Sequence, residues 1–193
     1  MNKPKIEIVI LPNNGEPKYF IEVLINGKTY EIKDTVKALG FRWNGARWKY
    51  TFNPFKEDPH EIINKIISEL SKVAEVKVWS PSGKEVDEIV KDTLEECRKW
   101  KRDYDRVREY FIKILKEYGC TNTIKALENG ELEVDLVTVK VKVNDKVVTV
   151  PATLVITNFL KNFKEINNEL KQFHYVYRSI YRWFEVRPKF IVK

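Results

Sequence analysis

Between Lys33 and Phe52 the chain reads KDTVKALGFRWNGARWKYTF, a stretch rich in the residue types that grip a single-stranded polyanion. Phe41, Trp43, Trp48, Tyr50 and Phe52 alternate there with Arg42, Arg47 and Lys49; Lys33 and Lys37 lead in, and Asp34 is the only acid. Cations neutralise phosphates and release their counterions, while flat π-faces accept unstacked bases whatever their identity. Lys33, Lys37, Arg42, Arg47 and Lys49 are therefore the expected phosphate contacts, and Phe41, Trp43, Trp48 and Tyr50 the expected stacking rings. The period of two places these aromatics on one face of a strand on either side of Asn44-Gly45, a two-residue turn or the start of a slightly longer loop. That alternation forces a choice. Either the rings face the ligand, or they face the core and leave Arg42, Arg47 and Lys49 lining a groove that is basic but short of stacking groups.

Other chemistry is thinner. His60 follows Pro59 at a helix start and His174 adjoins an apolar seam, so each reads as surface or packing rather than as a general base. No nucleophile elbow, phosphate-binding loop, zinc-protease motif or dinucleotide fingerprint occurs. Glu131, Glu133 and Asp135, with Lys140, are the material for a metal-dependent nuclease, but their spacing matches no nuclease signature and an acidic strand beside a turn is normally just solvated. No enzyme, metal or cofactor is expected. Arg98, Lys99, Lys101, Arg102, Arg106 and Arg108, interrupted by Asp103 and Asp105, read as a solvated helix face with local ion pairs. Arg178, Arg182, Arg187 and Lys189, near Tyr175, Tyr181 and Trp183, repeat the basic-aromatic mixture close to the C-terminus.

The 193 residues carry a formal charge of +7 and a pI of about 9.2, a balance that favours a polyanionic partner. No run approaches the roughly 18 apolar residues of a membrane span, and MNKPKIEIVI lacks a signal-peptide pattern, so a cytoplasmic location is expected. Cys97 and Cys120, far apart and outside any CxxC pattern, read as buried thiols.

The elements that must position these groups follow from periodicity. Lys5–Leu11 and Lys18–Ile25 read as antiparallel strands and Lys28–Ile32 as a third, giving a meander. Asp34 is placed to cap a short helix that ends at Gly40. Pro59–Ala74 has helical spacing and Val76–Trp79 the look of a strand. From Val90 to Tyr118 a three-four alternation describes one long helix; Leu132–Val143 and Lys146–Val150 describe a hairpin about Asn144-Asp145. Phe159, Phe163, Ile166, Leu170, Phe173, Tyr177, Ile180 and Phe184 keep the same alternation, so a C-terminal helix is expected whose seam drives self-association or packs on the long helix. The expected fold class is α+β, with an N-terminal nucleic-acid-binding unit over residues 1–80 and a helix-hairpin-helix extension over 81–193.

The run from Leu39 to Tyr50, LGFRWNGARWKY, set between a short helix and an amphipathic helix, resembles the N-terminal domain of ThermoDBP and the ThermoDBP-related proteins of hyperthermophilic archaea. The resemblance covers roughly Lys5 to Trp79 and rests most on Gly40–Asn44 and the trailing Trp48. It implies sequence-indifferent single-stranded DNA binding on a sheet that is not an OB-fold, and a homo-oligomer, dimer or tetramer, built through the C-terminal region. The chain departs from it in a C-terminal seam rich in Phe and Tyr rather than Leu. RNA binding and a protein-interaction scaffold are the alternatives to single-stranded DNA binding.

Overall fold

Lys5–Pro12 (β1) and Ile21–Gly27 (β2) alternate β-branched residues with polar ones, and they pair antiparallel with Ile8 opposite Ile25 and Ile10 opposite Val23. The computed structural model describes residues 2–158, 160–180, 183–189 and 192, with backbone alone for 176–180, 183 and 184. These form an α+β protein that divides into two compact units, Met1–Trp100 and Lys101–Lys193. The division falls inside one long helix, Val86–Glu117 (α3).

In the first unit, Arg42–Trp43 (β3), Trp48–Phe52 (β4) and Glu75–Val78 (β5) complete a five-stranded sheet of order β3-β4-β2-β1-β5. All pairs are antiparallel except β1 with β5, so the sheet is mixed. The expected third strand of a meander is not formed. Gly27, at φ +112°, turns the chain away beside β1, where a Cβ would lie 2.6 Å from the Lys5 carbonyl oxygen, and Tyr30–Ile32 coils into a 3-10 turn leading into Lys33–Ala38 (α1). Asp34 lies in the first turn of α1 and makes no cap; Ile32 holds the cap position. In Pro59–Ser71 (α2) the cap is real: the Asp58 carboxylate accepts from the His60 and Glu61 amides at 3.0 and 3.3 Å. The apolar stripe of α2, Ile63, Ile66 and Leu70, packs with Ile6, Ile8, Val23 and Ile25 of the sheet, and Val90 and Cys97 of α3 join the same core.

In the second unit, Leu132–Val134 (β6), Leu154–Ile156 (β9), Tyr175–Ile180 (β10) and Trp183–Pro188 (β11) form a sheet of order β10-β11-β9-β6. Thr138–Val143 (β7) and Lys146–Pro151 (β8) form the expected hairpin about Asn144 and Asp145, both at positive φ as a tight two-residue turn requires. Leu132–Val134 is not part of it, because Asp135–Val137 breaks the run. Thr121–Glu128 (α4), whose spacing is too short to stand out in the sequence, is capped from a distance: the Glu169 carboxylate accepts from the Asn122 and Thr123 amides at 2.9 and 2.8 Å.

The expected C-terminal helix is corrected. Only Phe163–Leu170 (α5) is α-helical, and after a 3-10 turn through Phe173, His174 at φ +55° ends the helical run. Tyr177, Ile180 and Phe184 lie on β10 and β11, where the density of aromatic and β-branched residues prevails over a spacing that fits either period. Ile166, Leu170 and Phe173 are buried within the second unit, Phe173 edge-on to Phe111 and Tyr118 at 6.0 and 5.2 Å. They pack in the chain's own core; Phe163 is half-buried and Phe159 lies outside the described residues.

Of the three candidate nuclease acids, Glu133 is tied into the fold. Glu133, 2% exposed, takes the Arg108 guanidinium on both oxygens, and Arg108 also bonds Asp105 at 2.7 Å. The local ion pairs expected on α3 form between Lys101 and Asp105, Arg106 and Asp103, and Arg108 and Asp105, and Arg108 also reaches the buried Glu133. Among the described residues no helix is long and apolar enough to cross a membrane.

Two outcomes follow. Arg108→Ala strands the buried Glu133 carboxylate and lowers stability by about 3 kcal/mol in chemical denaturation. Burial pushes the thiol of Cys97 up to about 12 and that of Cys120 to about 11. Since the thiolate is the nucleophile, neither is labelled by an alkylating reagent at pH 8 until the chain is unfolded. The stability these neutral thiols contribute is intact below their ordinary value of about 9 and is lost as the pH rises through about 11 and 12.

Candidate nucleic-acid interface

The register of β2, β3 and β4 sorts the basic and aromatic residues onto opposite faces. Ile25 pairs with Trp48 and Trp48 with Trp43, so both indoles lie on the face that α1 and α2 cover. Leu24 pairs with Lys49 and Lys49 with Arg42, so these two cations share the other face. Between the strands, the Asn44 side chain accepts from the Ala46 and Arg47 amides at 3.1 and 2.9 Å. Gly45 supplies φ +94°, and the connection is the longer of the two expected, a loop that starts at Asn44, runs to Arg47 and is centred on Gly45-Ala46.

The four expected stacking rings part company. Phe41 is 2% exposed and Trp48 8%, and both belong to the core. Tyr50 is half-buried, its ring 5.5 Å from Phe41 and 5.9 Å from Phe52, with Gly40 against its edge. Burial, with the Glu57 carboxylate adding to it, raises the Tyr50 phenol, so that ring is neutral and packed. Trp43, at 55% exposure, is the ring left for a ligand; it leans edge-on against Trp48 at 5.6 Å. The core-facing half of the sequence alternative therefore holds for Phe41, Trp48 and Tyr50, and fails for Trp43 because β3 is an outer strand with nothing beyond it in the sheet.

The cations divide as well. Arg42 and Lys37 are exposed, Arg47 is half-buried, and none of the three has an ion-pair partner among the described residues. Lys33 is exposed and lies over the Tyr30 ring at 5.0 Å. Lys49 does not stand free as a phosphate contact: its ammonium sits 2.9 Å from the Glu22 carboxylate, whose side chain is 6% exposed. Its charge is committed to keeping that carboxylate paired.

Two aromatic groups escaped the sequence reading. Tyr30 is 82% exposed, standing at the start of the 3-10 turn; read as a strand residue, it had no reason to protrude. Its neighbour Thr29 accepts the Trp48 indole N–H at 3.1 Å, which ties this turn to the hairpin. Trp100, counted in the α3 seam, instead carries Lys18 over its ring at 4.9 Å. In the sequence Tyr30 lies between Lys28 and Lys33 and Trp100 between Lys99 and Lys101, neighbours too common to single out either ring. The exposed surface of the first unit thus combines Trp43, Tyr30, Arg42, Arg47, Lys33 and Lys37.

Comparison with known proteins yields no matching family model, no similar curated protein and no similar solved structure.

Trp48→Ala lowers stability by about 3 to 5 kcal/mol in denaturant melts, and Trp43→Ala changes it by no more than about 0.5 kcal/mol. Lys49→Ala, which leaves the Glu22 carboxylate unpaired, costs about 1 to 3 kcal/mol.

Proposed function

We propose that the chain is a non-catalytic, sequence-indifferent single-stranded DNA-binding protein, and that the β3–β4 hairpin with the turn at Tyr30 is its contact surface. One observation carries the reading: on the outer hairpin of the sheet an exposed indole, Trp43, lies on one face and Arg42 on the other, and neither Arg42 nor Arg47 of that hairpin has an ion-pair partner among the described residues. An exposed ring is an open stacking platform, and cations on the same hairpin can neutralise the phosphates of a strand that wraps around its edge. The cation-π pair of Lys33 and Tyr30 adds a second ring beside a cation. The likeness of Gly40–Asn44 to the ThermoDBP-related proteins, on a five-stranded mixed sheet rather than a closed OB barrel, points the same way. Duplex DNA is a poor ligand on this reading, because its bases are already stacked and withheld from Trp43.

The test is a titration of labelled single-stranded oligonucleotides of two unrelated sequences, with matched duplex and RNA, at two salt concentrations. Salt-sensitive binding that ignores sequence and favours single strands over duplex is expected, with DNA preferred to RNA. Preference for the RNA transfers the same surface to RNA; no binding at low salt removes the reading. Trp43→Ala weakens single-strand binding by about 1 to 3 kcal/mol, and Arg42→Ala and Arg47→Ala each lower the log-log salt slope by about 0.7.

A further inference from the structure

On the face of the sheet that carries Lys49, a basin of about 630 Å³ opens beside the hairpin, and all of its walls belong to the first unit. Its floor holds Glu22, a carboxylate whose side chain is 6% exposed. One carboxylate oxygen is fully engaged: Oε2 meets the Lys49 ammonium at 2.9 Å and accepts from the Asn14 amide at 3.4 Å. Oε1 has no such bond. Every sealed side-chain nitrogen and oxygen among the described residues has a partner, so Oε1 is the part of Glu22 that meets the basin. A nearly buried acceptor open to a cavity asks for a donor from a ligand.

The surroundings restrict what that donor belongs to. A metal ion is disfavoured, because the Lys49 ammonium already sits on the carboxylate and Arg47 stands at the rim. A simple anion is disfavoured by Glu22 itself, and Glu96 on the wall adds to that repulsion. The lining offers one open carboxylate oxygen, the Trp100 ring and the cations Arg47 and Lys18, so a fitting ligand brings an N–H group, a flat apolar body and negative charge. A nucleotide unit of a single strand has these three parts.

We propose that this basin receives one base of the bound strand and that Glu22 selects there for a base with an exocyclic amine. The proposal rests on the single-strand reading above and adds one discriminating position to a surface that otherwise ignores sequence. Cytosine and uracil make the sharpest comparison. Cytosine has an amino group where uracil has a carbonyl, so in one pose cytosine gives Oε1 a hydrogen bond and uracil sets oxygen against oxygen.

The experiment measures dissociation constants of equal-length oligo(dC) and oligo(dU) for the full chain and for Glu22→Gln and Glu22→Asp. The unaltered chain is expected to prefer oligo(dC) by about tenfold, the low end for a hydrogen bond to a charged group in an open basin. In Glu22→Gln, whose amide donates as well as accepts, the ratio falls to near one while oligo(dU) binds at least as tightly, since Lys49 is released. Glu22→Asp keeps the charge beside Lys49, withdraws the oxygens by one methylene, and narrows the ratio as well. Equal binding of the two oligomers by the unaltered chain overturns the base selection and leaves single-strand binding intact. A preference undiminished in either folded variant also overturns it. Binding of neither oligomer overturns both readings together.

Discussion

The candidate interface hangs from one indole. Trp48 is buried on β4, hydrogen-bonded through its ring nitrogen to Thr29, and it supports Trp43 on the outer strand. Three separate pieces of chain, the turn into α1, β3 and β4, are fixed by contact with this side chain. Removing it takes away buried area and a satisfied indole N–H together. Trp43 protrudes because its neighbour is already committed to the core, and Tyr30 protrudes because the chain at Thr29 is held there. The exposed rings are thus presented by rigid structure rather than by a loose loop, which limits the ordering entropy a ligand has to offset.

The same economy applies to charge. Of the basic residues along this stretch, Lys49 is paired with the buried Glu22, whereas Arg42, opposite it on β3, has no ion-pair partner among the described residues. Like charges directly opposed across a strand pair are unfavourable, and Glu22 beneath Lys49 offsets that repulsion. The result is a face whose outward potential comes from arginine, with one oxygen of a carboxylate set below it. In the second unit Arg108 pairs with Asp105 and with the buried Glu133, and Glu169 caps α4.

Much of this was legible in the residues, for physical reasons that also mark where legibility ends. Helices with a long apolar stripe, α2 and α3, and the hairpin at Asn144-Asp145 follow directly from periodicity and turn chemistry. The segment from Phe163 to Phe184 misled because a spacing of three and four in an aromatic-rich stretch fits both helix and strand; His174 in the left-handed region and the pairing of β11 with β9 decide between them, and neither is local information. At the site, alternation correctly set Trp48 and Phe41 against Arg42, yet it had no means of telling that β3 is an outer strand and that Trp43 is therefore exposed. Glu22 lay beyond reach for a different reason. A glutamate in a strand reads as solvated until its partner is known, and Lys49 reaches it only because β4 lies beside β2.

The central claim is that single-stranded nucleic acid lies along the β3–β4 hairpin. The most direct measurement is photo-cross-linking of an oligonucleotide bearing 5-iodouracil at successive positions, followed by identification of the attached peptide by mass spectrometry. The account predicts attachment at Trp43, with Tyr30 as the secondary site. Attachment confined to α3 or to the β7–β8 hairpin, with the 30–49 region unmodified, would contradict it.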